Sequence, residues 1–190
     1  MRIIGGKFKN KKLLFPKNLK TRPLKDSVRE NIFNILSHSN NVGINIKNSE
    51  VLDLYAGTGS FGLECISREA SKVVFIENDL DALTNLKENI KNLNSENETV
   101  LLTQDVLEFL NLLTLEIYRE KFNIIFLDPP YQNKECVEVI KKIKKRELLN
   151  KKHIIVIHRE IKSEDHIDKC LNIIEKRIYG RSEIFFGRFF

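Results

Sequence analysis

The stretch Val51-Leu52-Asp53-Leu54-Tyr55-Ala56-Gly57-Thr58-Gly59-Ser60-Phe61-Gly62 constrains the fold more than any other. It reads as an apolar strand, a glycine-rich turn and the start of a helix. Glycine admits the backbone angles a sharp turn needs and lets the chain approach a ligand closely. The spacing Gly57-x-Gly59-x-x-Gly62 matches a nucleotide-binding turn, a weak signal by itself. Asp53 adds something, because an acid precedes the turn. A carboxylate there can accept from the amino group of a bound amino-acid moiety, or hold the turn through backbone N–H groups.

The segments that follow repeat the alternation. Apolar strand candidates are 51–54, 72–76, 99–102, 123–127, 154–157, 171–179 and 184–189. Helical candidates, 61–67, 80–93, 106–113 and 135–145, fall between the first five. Strands alternating with helices predict right-handed βαβ units and a parallel sheet covered on both faces. Between the last two strands stands only Tyr179-Gly180-Arg181-Ser182, which reads as a turn. The expected fold is therefore α/β, a Rossmann-like sheet, mostly parallel, finishing in an antiparallel hairpin. Upstream, a helix is expected from about Pro23, with Val28, Ile32, Ile35 and Leu36 on one face. Polar residues 37–50 read as a connector. Residues 1–24 read as a basic hairpin or arm, with residues 25–190 as the main domain.

Charge is uneven. Residues 1–30 hold ten Lys or Arg and two acids, while the whole chain of 190 residues carries only +6. A basic segment on a slightly acidic body predicts contact with a polyanion. The three cysteines, Cys65, Cys136 and Cys170, are scattered and form no CxxC pair, so neither a disulfide framework nor a metal site is expected. No apolar run approaches the roughly 18 residues needed to span a bilayer. The first residues show no apolar core behind their charge, so a cytoplasmic protein without a signal peptide is expected.

Three further acids stand at strand ends. Glu77 follows the second strand about 20 residues after the glycine turn, where an acid can accept from ribose hydroxyls. Asp105 follows the third and can accept from an adenine amino group or cap the next helix. The fourth strand delivers Asp128-Pro129-Pro130-Tyr131. The Asp128 carboxylate and the Pro129 carbonyl can together receive both hydrogens of an –NH₂ group. An aromatic amine is a poor nucleophile because its lone pair is delocalised into the ring. Two acceptors can pull the nitrogen toward a tetrahedral shape and aim its lone pair at a methyl sulfonium. Tyr131 can stack on the base that carries the amine.

The order Asp53, Gly57-x-Gly59, Glu77, Asp105, Asp128-Pro129-Pro130-Tyr131 resembles the class I S-adenosylmethionine-dependent methyltransferases that act on amino groups. Arg2-Ile3-Ile4-Gly5-Gly6, Thr21-Arg22-Pro23 and Asp26-x-Val28-Arg29-Glu30-x-x-Phe33-Asn34 look like the N-terminal signature of the bacterial small-subunit ribosomal RNA guanine-(N2)-methyltransferase D family. The resemblance covers nearly the whole chain. It implies methyl transfer from S-adenosylmethionine to a guanine 2-amino group of 16S rRNA in the small ribosomal subunit. Asp53, Gly57 and Gly59 would then line the methionine end of the cofactor, Glu77 the ribose and Asp105 the adenine, with Tyr55, Asn78 and Val106 also in the cofactor site. Asp128, Pro129, Pro130 and Tyr131 would hold the guanine. Arg2, Lys7, Lys9, Arg22 and Arg29 would meet the RNA. Nothing in the sequence requires a dimer.

Two alternatives use the same features. Enzymes acting on DNA adenine or on a protein glutamine can carry a similar loop, although no separate DNA-recognition domain is apparent in 190 residues. A non-catalytic RNA-binding module is the other, and the intact loop and glycine turn argue against it.

Overall fold

A computed structural model of the chain describes residues 1–16, 24–112, 121–130, 135–161, 163 and 165–189. Among these, strands and helices alternate as expected. In chain order they are α1 (Asp26–His38), β1 (Glu50–Leu54), α2 (Ser60–Ser67), β2 (Lys72–Glu77), α3 (Leu80–Asn92), β3 (Thr99–Thr103), α4 (Val106–Leu112), β4 (Phe122–Leu127), α5 (Cys136–Lys145), β5 (Leu149–Glu160), β6 (Asn172–Tyr179) and β7 (Ser182–Arg188). The seven strands form one sheet in the order β3-β2-β1-β4-β5-β7-β6. Strands β1 to β5 run parallel. Strand β7 pairs antiparallel with both β5 and β6, which closes the expected hairpin at Gly180.

Strand side chains sort strictly by parity, as a pleated strand requires. Val51, Val73, Phe75, Ile124, Phe126, Ile154 and Val156 pack toward Phe33 of α1, Phe61 of α2 and Leu86 of α3. Leu52, Leu54, Val74, Ile76, Ile125, Leu127, Ile155 and Ile157 pack toward Val106 and Phe109 of α4 and Val139 and Ile140 of α5. Both faces are covered, so the strands read as continuous apolar runs. Burying a side chain of this size contributes about 1.5–3 kcal/mol. Phe33, Phe61 and Phe126 stack in series, with centroids 5.0 and 4.0 Å apart.

One expectation changes. Residues 37–50 are not a plain polar connector: α1 runs to His38, and Val42, Ile44 and Ile46 are buried in the core. Their alternation with polar residues is that of a half-buried extended segment. The described part of the N-terminal arm folds back antiparallel at Arg2 and Lys12, with the Ile3 and Leu13 N–H groups donating across to the Lys11 and Met1 carbonyls, around a short helical turn, Gly6–Phe8. Ile3 and Leu13 sink into the core. The Ile4 and Gly5 N–H groups donate to the buried carboxylate of Glu64 at 2.7 and 2.8 Å. The Leu14 N–H donates to Asn89 Oδ1 at 2.7 Å. The arm is thereby attached to α2 and α3 through burial and hydrogen bonds.

Candidate active site

Chain order and sheet order part company beside β1. The chain leaves β1 toward β2 and β3, then returns to β4 on the other side. At such a reversal the loops at the carboxyl ends diverge and open a crevice. Three loops meet there: the turn after β1, the end of β2 and the Asp128 segment after β4.

The turn after β1 is built around its glycines. Tyr55, Gly57 and Gly59 all have positive φ, at 59°, 56° and 80°. Tyr55 is not a glycine, so its left-handed conformation is strained. A Cβ on Gly59 would stand 2.4 Å from Leu86 Cδ1, and one on Gly62 would stand 2.3 Å from Phe75 Cε1. Those two glycines permit packing of the turn and helix. Gly57 differs, because among the described residues a Cβ there would meet nothing within 4 Å. It faces the crevice.

Asp53 is buried, and its Oδ2 accepts from the Gly62 N–H at 2.9 Å. Of the two roles its position allows, this contact is the turn-holding one. Burial pushes its carboxyl well above the usual aspartate value. The Gly62 hydrogen bond opposes that shift, and the negative charges of Asp128 and Glu77 add to it. The Glu77 carboxylate accepts from Gly57 at 2.7 Å and from Asn78 and Asp79 at 2.8 Å each. It ties the glycine turn to the end of β2, and with two oxygens it retains acceptor capacity. Asn78 is exposed at the start of α3. Asp105 takes the capping role: its Oδ1 accepts from Leu107 at 2.8 Å and Glu108 at 3.1 Å, and Val106 behind it is buried.

Leu54 of β1 pairs with Leu127 of β4. The Asp128 N–H donates to the Leu54 carbonyl at 3.4 Å, which fixes the acid one strand spacing from the glycine turn. The Asp128 side chain is 26% exposed. Its Oδ1 lies 2.7 Å from His158 Nδ1, and His158 Nε2 lies 2.9 Å from Ser182 Oγ. Arg159, also buried, reaches the carbonyls of Pro129 and Pro130 at 3.4 Å each and pairs with Asp165 at 2.5 Å. His158, Arg159 and Ser182 are absent from the residues the sequence singles out. For His158 and Arg159 the only signal is that the apolar run Ile154–Ile157 ends in them, just as the run before Asp128 ends in an acid, while Ser182 is marked only as the end of the turn after Tyr179.

The basic residues divide. Arg2, Lys7 and Lys9 are exposed, with Arg2 3.8 Å from Asp26 and Lys7 3.5 Å from Glu98. Arg29 is a correction. Expected to face RNA, its side chain is fully buried and donates to the Arg2 carbonyl and to Asp26. It shares a helical stripe with buried Phe33 and Leu36, at i, i+4 and i+7, which could have marked it as interior. Arg22 and Tyr131 lie outside the described residues.

Fold and site define a class I, S-adenosylmethionine-dependent methyltransferase. The residues suit that cofactor: Gly57 leaves open space among the described residues, and the carboxylates of Glu77 and Asp128 stand at the strand ends beside the glycine turn, suited to a ligand bearing a sulfonium and an ammonium. The chain belongs to the family described as Conserved hypothetical protein 95, whose model matches residues 1–188. It is 32% identical over 184 residues to Ribosomal RNA small subunit methyltransferase D of Buchnera aphidicola, covering 96% of this chain and 90% of that one. It is 31% identical to the protein of the same name from Escherichia coli, over 95% of this chain and 90% of that one. The solved structure of the Escherichia coli protein yhhF superposes with a TM-score of 0.82 at 27% identity, covering 99% of this chain and 97% of that one. A methyltransferase solved with SAH, SMU.776, shares the fold at 11% identity and a TM-score of 0.65, over 85% of this chain and 49% of that one.

Proposed function

We propose that the chain methylates the exocyclic 2-amino group of a guanine in 16S rRNA, acting as a monomer in the cytoplasm on the small ribosomal subunit. One observation carries the chemistry. Asp128 and the Pro129 carbonyl stand at the end of β4, beside the glycine turn after β1. The relatives named Ribosomal RNA small subunit methyltransferase D support the choice of substrate.

Asp53, Tyr55, Gly57 and Gly59 form the methionine end of the cofactor site, Glu77 and Asn78 the ribose end, and Asp105 and Val106 the adenine end. S-adenosylmethionine supplies a methyl group made electrophilic by the attached sulfonium. Asp128 and the Pro129 carbonyl accept the two amine hydrogens and orient the nitrogen lone pair toward that methyl. When bound, the cofactor would supply the methyl for the new N–C bond, its sulfur keeping the electron pair of the C–S bond. The surplus proton on nitrogen leaves to Asp128 or to water. Pro130 stiffens the loop and Tyr131 stacks on the guanine. Residues 25–190 carry the chemistry, while Arg2, Lys7 and Lys9 of the arm, with Arg22, engage the phosphate backbone.

The test is tritiated-methyl transfer to small subunits from cells lacking the enzyme, followed by mapping of the modified base. Label on a guanine N2 of 16S rRNA is expected. Label on another base, on protein or on DNA would contradict the reading.

A further inference from the structure

Asp128 accepts hydrogen bonds, but a carboxylate on a short loop can rotate. Its orientation must be fixed by something the Asp-Pro-Pro-Tyr motif does not contain. Leu127 pairs with Ile157 across β4 and β5, so Asp128 and His158 come next, side by side on the same face of parallel strands. The His158 ring is almost fully buried and bridges two groups from different strands. Its Nδ1 meets Asp128 Oδ1 at 2.7 Å, and its Nε2 meets Ser182 Oγ at 2.9 Å. Ser182 opens β7, which pairs with β5. The ring is thus held at both nitrogens, and so cannot turn without breaking one bond.

We infer that His158 is the positioning residue of this enzyme: Nδ1–H donates to Asp128 Oδ1, reserving the other carboxylate oxygen for the amine, and Ser182 fixes the ring. The inference rests on the reading of Asp128 as the amine acceptor. A buried imidazole aligned by hydrogen bonds at both nitrogens holds the group it touches in place. That group then needs no reorganisation when charge develops on the substrate nitrogen.

The local charges agree. Burial pulls the His158 pKa down. The charge and hydrogen bond of Asp128 push it up and prevail, so it lies above the usual histidine value, with Arg159 opposing. Asp128 faces the ring from the end of β4. Ser182 faces it from β7 and is uncharged. Arg159 follows it in β5. Asp128 is thus the group that favours the protonated ring, and the ring in turn holds its Oδ1.

The test has two arms. In nitrogen NMR of the histidine-labelled protein, the His158 ring is expected to titrate above the ordinary value near 6.5 and to lose that shift in Asp128→Asn. Titration at or below 6.5 regardless of residue 128 would overturn the inference, and this arm needs no substitution at His158 in the folded sample. In turnover on small subunits, His158→Leu is expected to lower kcat about 10²-fold with KM for S-adenosylmethionine unchanged, the scale of a misplaced catalytic group. His158→Asn, whose amide replaces the Nδ1 donor, should recover part of that loss. In an Asp128→Ala background, His158→Leu should cost nothing further, because its effect passes through the missing carboxylate. An undiminished kcat in His158→Leu, or a second full loss in the double variant, would refute positioning while leaving Asp128 in place. Full turnover in Asp128→Ala alone would instead bring down the reading on which the inference rests.

Discussion

Asp53 has two demands on it. It sits in the core under the glycine turn, where a charge is disfavoured, and it accepts a hydrogen bond that holds the turn. An acid whose pKa is raised on folding binds more protons folded than unfolded, so stability falls as pH rises from the ordinary aspartate value through the raised one. Asp53→Asn keeps an acceptor for the Gly62 N–H and removes the charge. It should therefore stabilise the protein at pH 8 by about 1–3 kcal/mol, the scale of a buried charge left poorly compensated. Denaturant melts of both proteins from pH 4 to pH 8 check this. The wild type should lose stability relative to the variant across that range, and parallel curves would show that the charge carries no penalty.

At the scale of elements, the three glycines after β1 have separate jobs that one motif conceals. Gly62→Ala should destabilise by about 1–3 kcal/mol through overpacking against Phe75 and Val73. Gly57→Ala meets nothing among the described residues, so its structural cost should be limited to about 1 kcal/mol for a left-handed alanine. Its methyl enters the crevice, and the loss should appear in S-adenosylmethionine affinity, by about tenfold or more in calorimetry. Equal effects of the two substitutions on binding and stability would contradict this division. Element boundaries are legible in the sequence because the sheet is covered on both faces, and long apolar runs such as Ile154–Ile157 have no other place to go. Strand β5 is longer than its apolar run: it extends from Leu149 to Glu160, its end His158, Arg159 and Glu160 held by pairing with β7, while exposed Lys151 and Lys152 fall where its register with β4 shifts. Glu77 and Asp128 are legible for the same reason, each terminating an apolar run, while Asp105 follows the polar pair Thr103-Gln104. His158 and Ser182 are not. Their contact with Asp128 depends on the register of β4, β5 and β7, which no local pattern encodes. Arg29 misleads because a guanidinium suggests a surface, while its helical neighbours Phe33 and Leu36 point inward.

Across the whole molecule, charge and chemistry occupy different regions. The described arm presents Arg2, Lys7 and Lys9 outward and anchors itself inward through Ile3, Leu13 and the Glu64 carboxylate. That alternation lets the arm be basic outside and fixed to the body inside. Reversing the charges of Arg2, Lys7 and Lys9 together should weaken RNA binding and flatten its salt dependence, because each phosphate no longer neutralised takes close to one counterion off the slope. Binding to an rRNA fragment at several salt concentrations, with thermal melts as a folding control, checks this. An unchanged affinity and slope would remove the arm from the RNA interface.

If the segment after β4 performs methyl transfer by holding an amine, separately from cofactor binding, then Asp128→Ala should divide the two. The variant should bind S-adenosylmethionine within a few-fold of the wild type in calorimetry. Its methyl transfer to small subunits should fall by about 10²–10³-fold, as expected for a contact strengthened in the transition state. Near-normal turnover in a folded Asp128→Ala protein would contradict the proposed role of the loop.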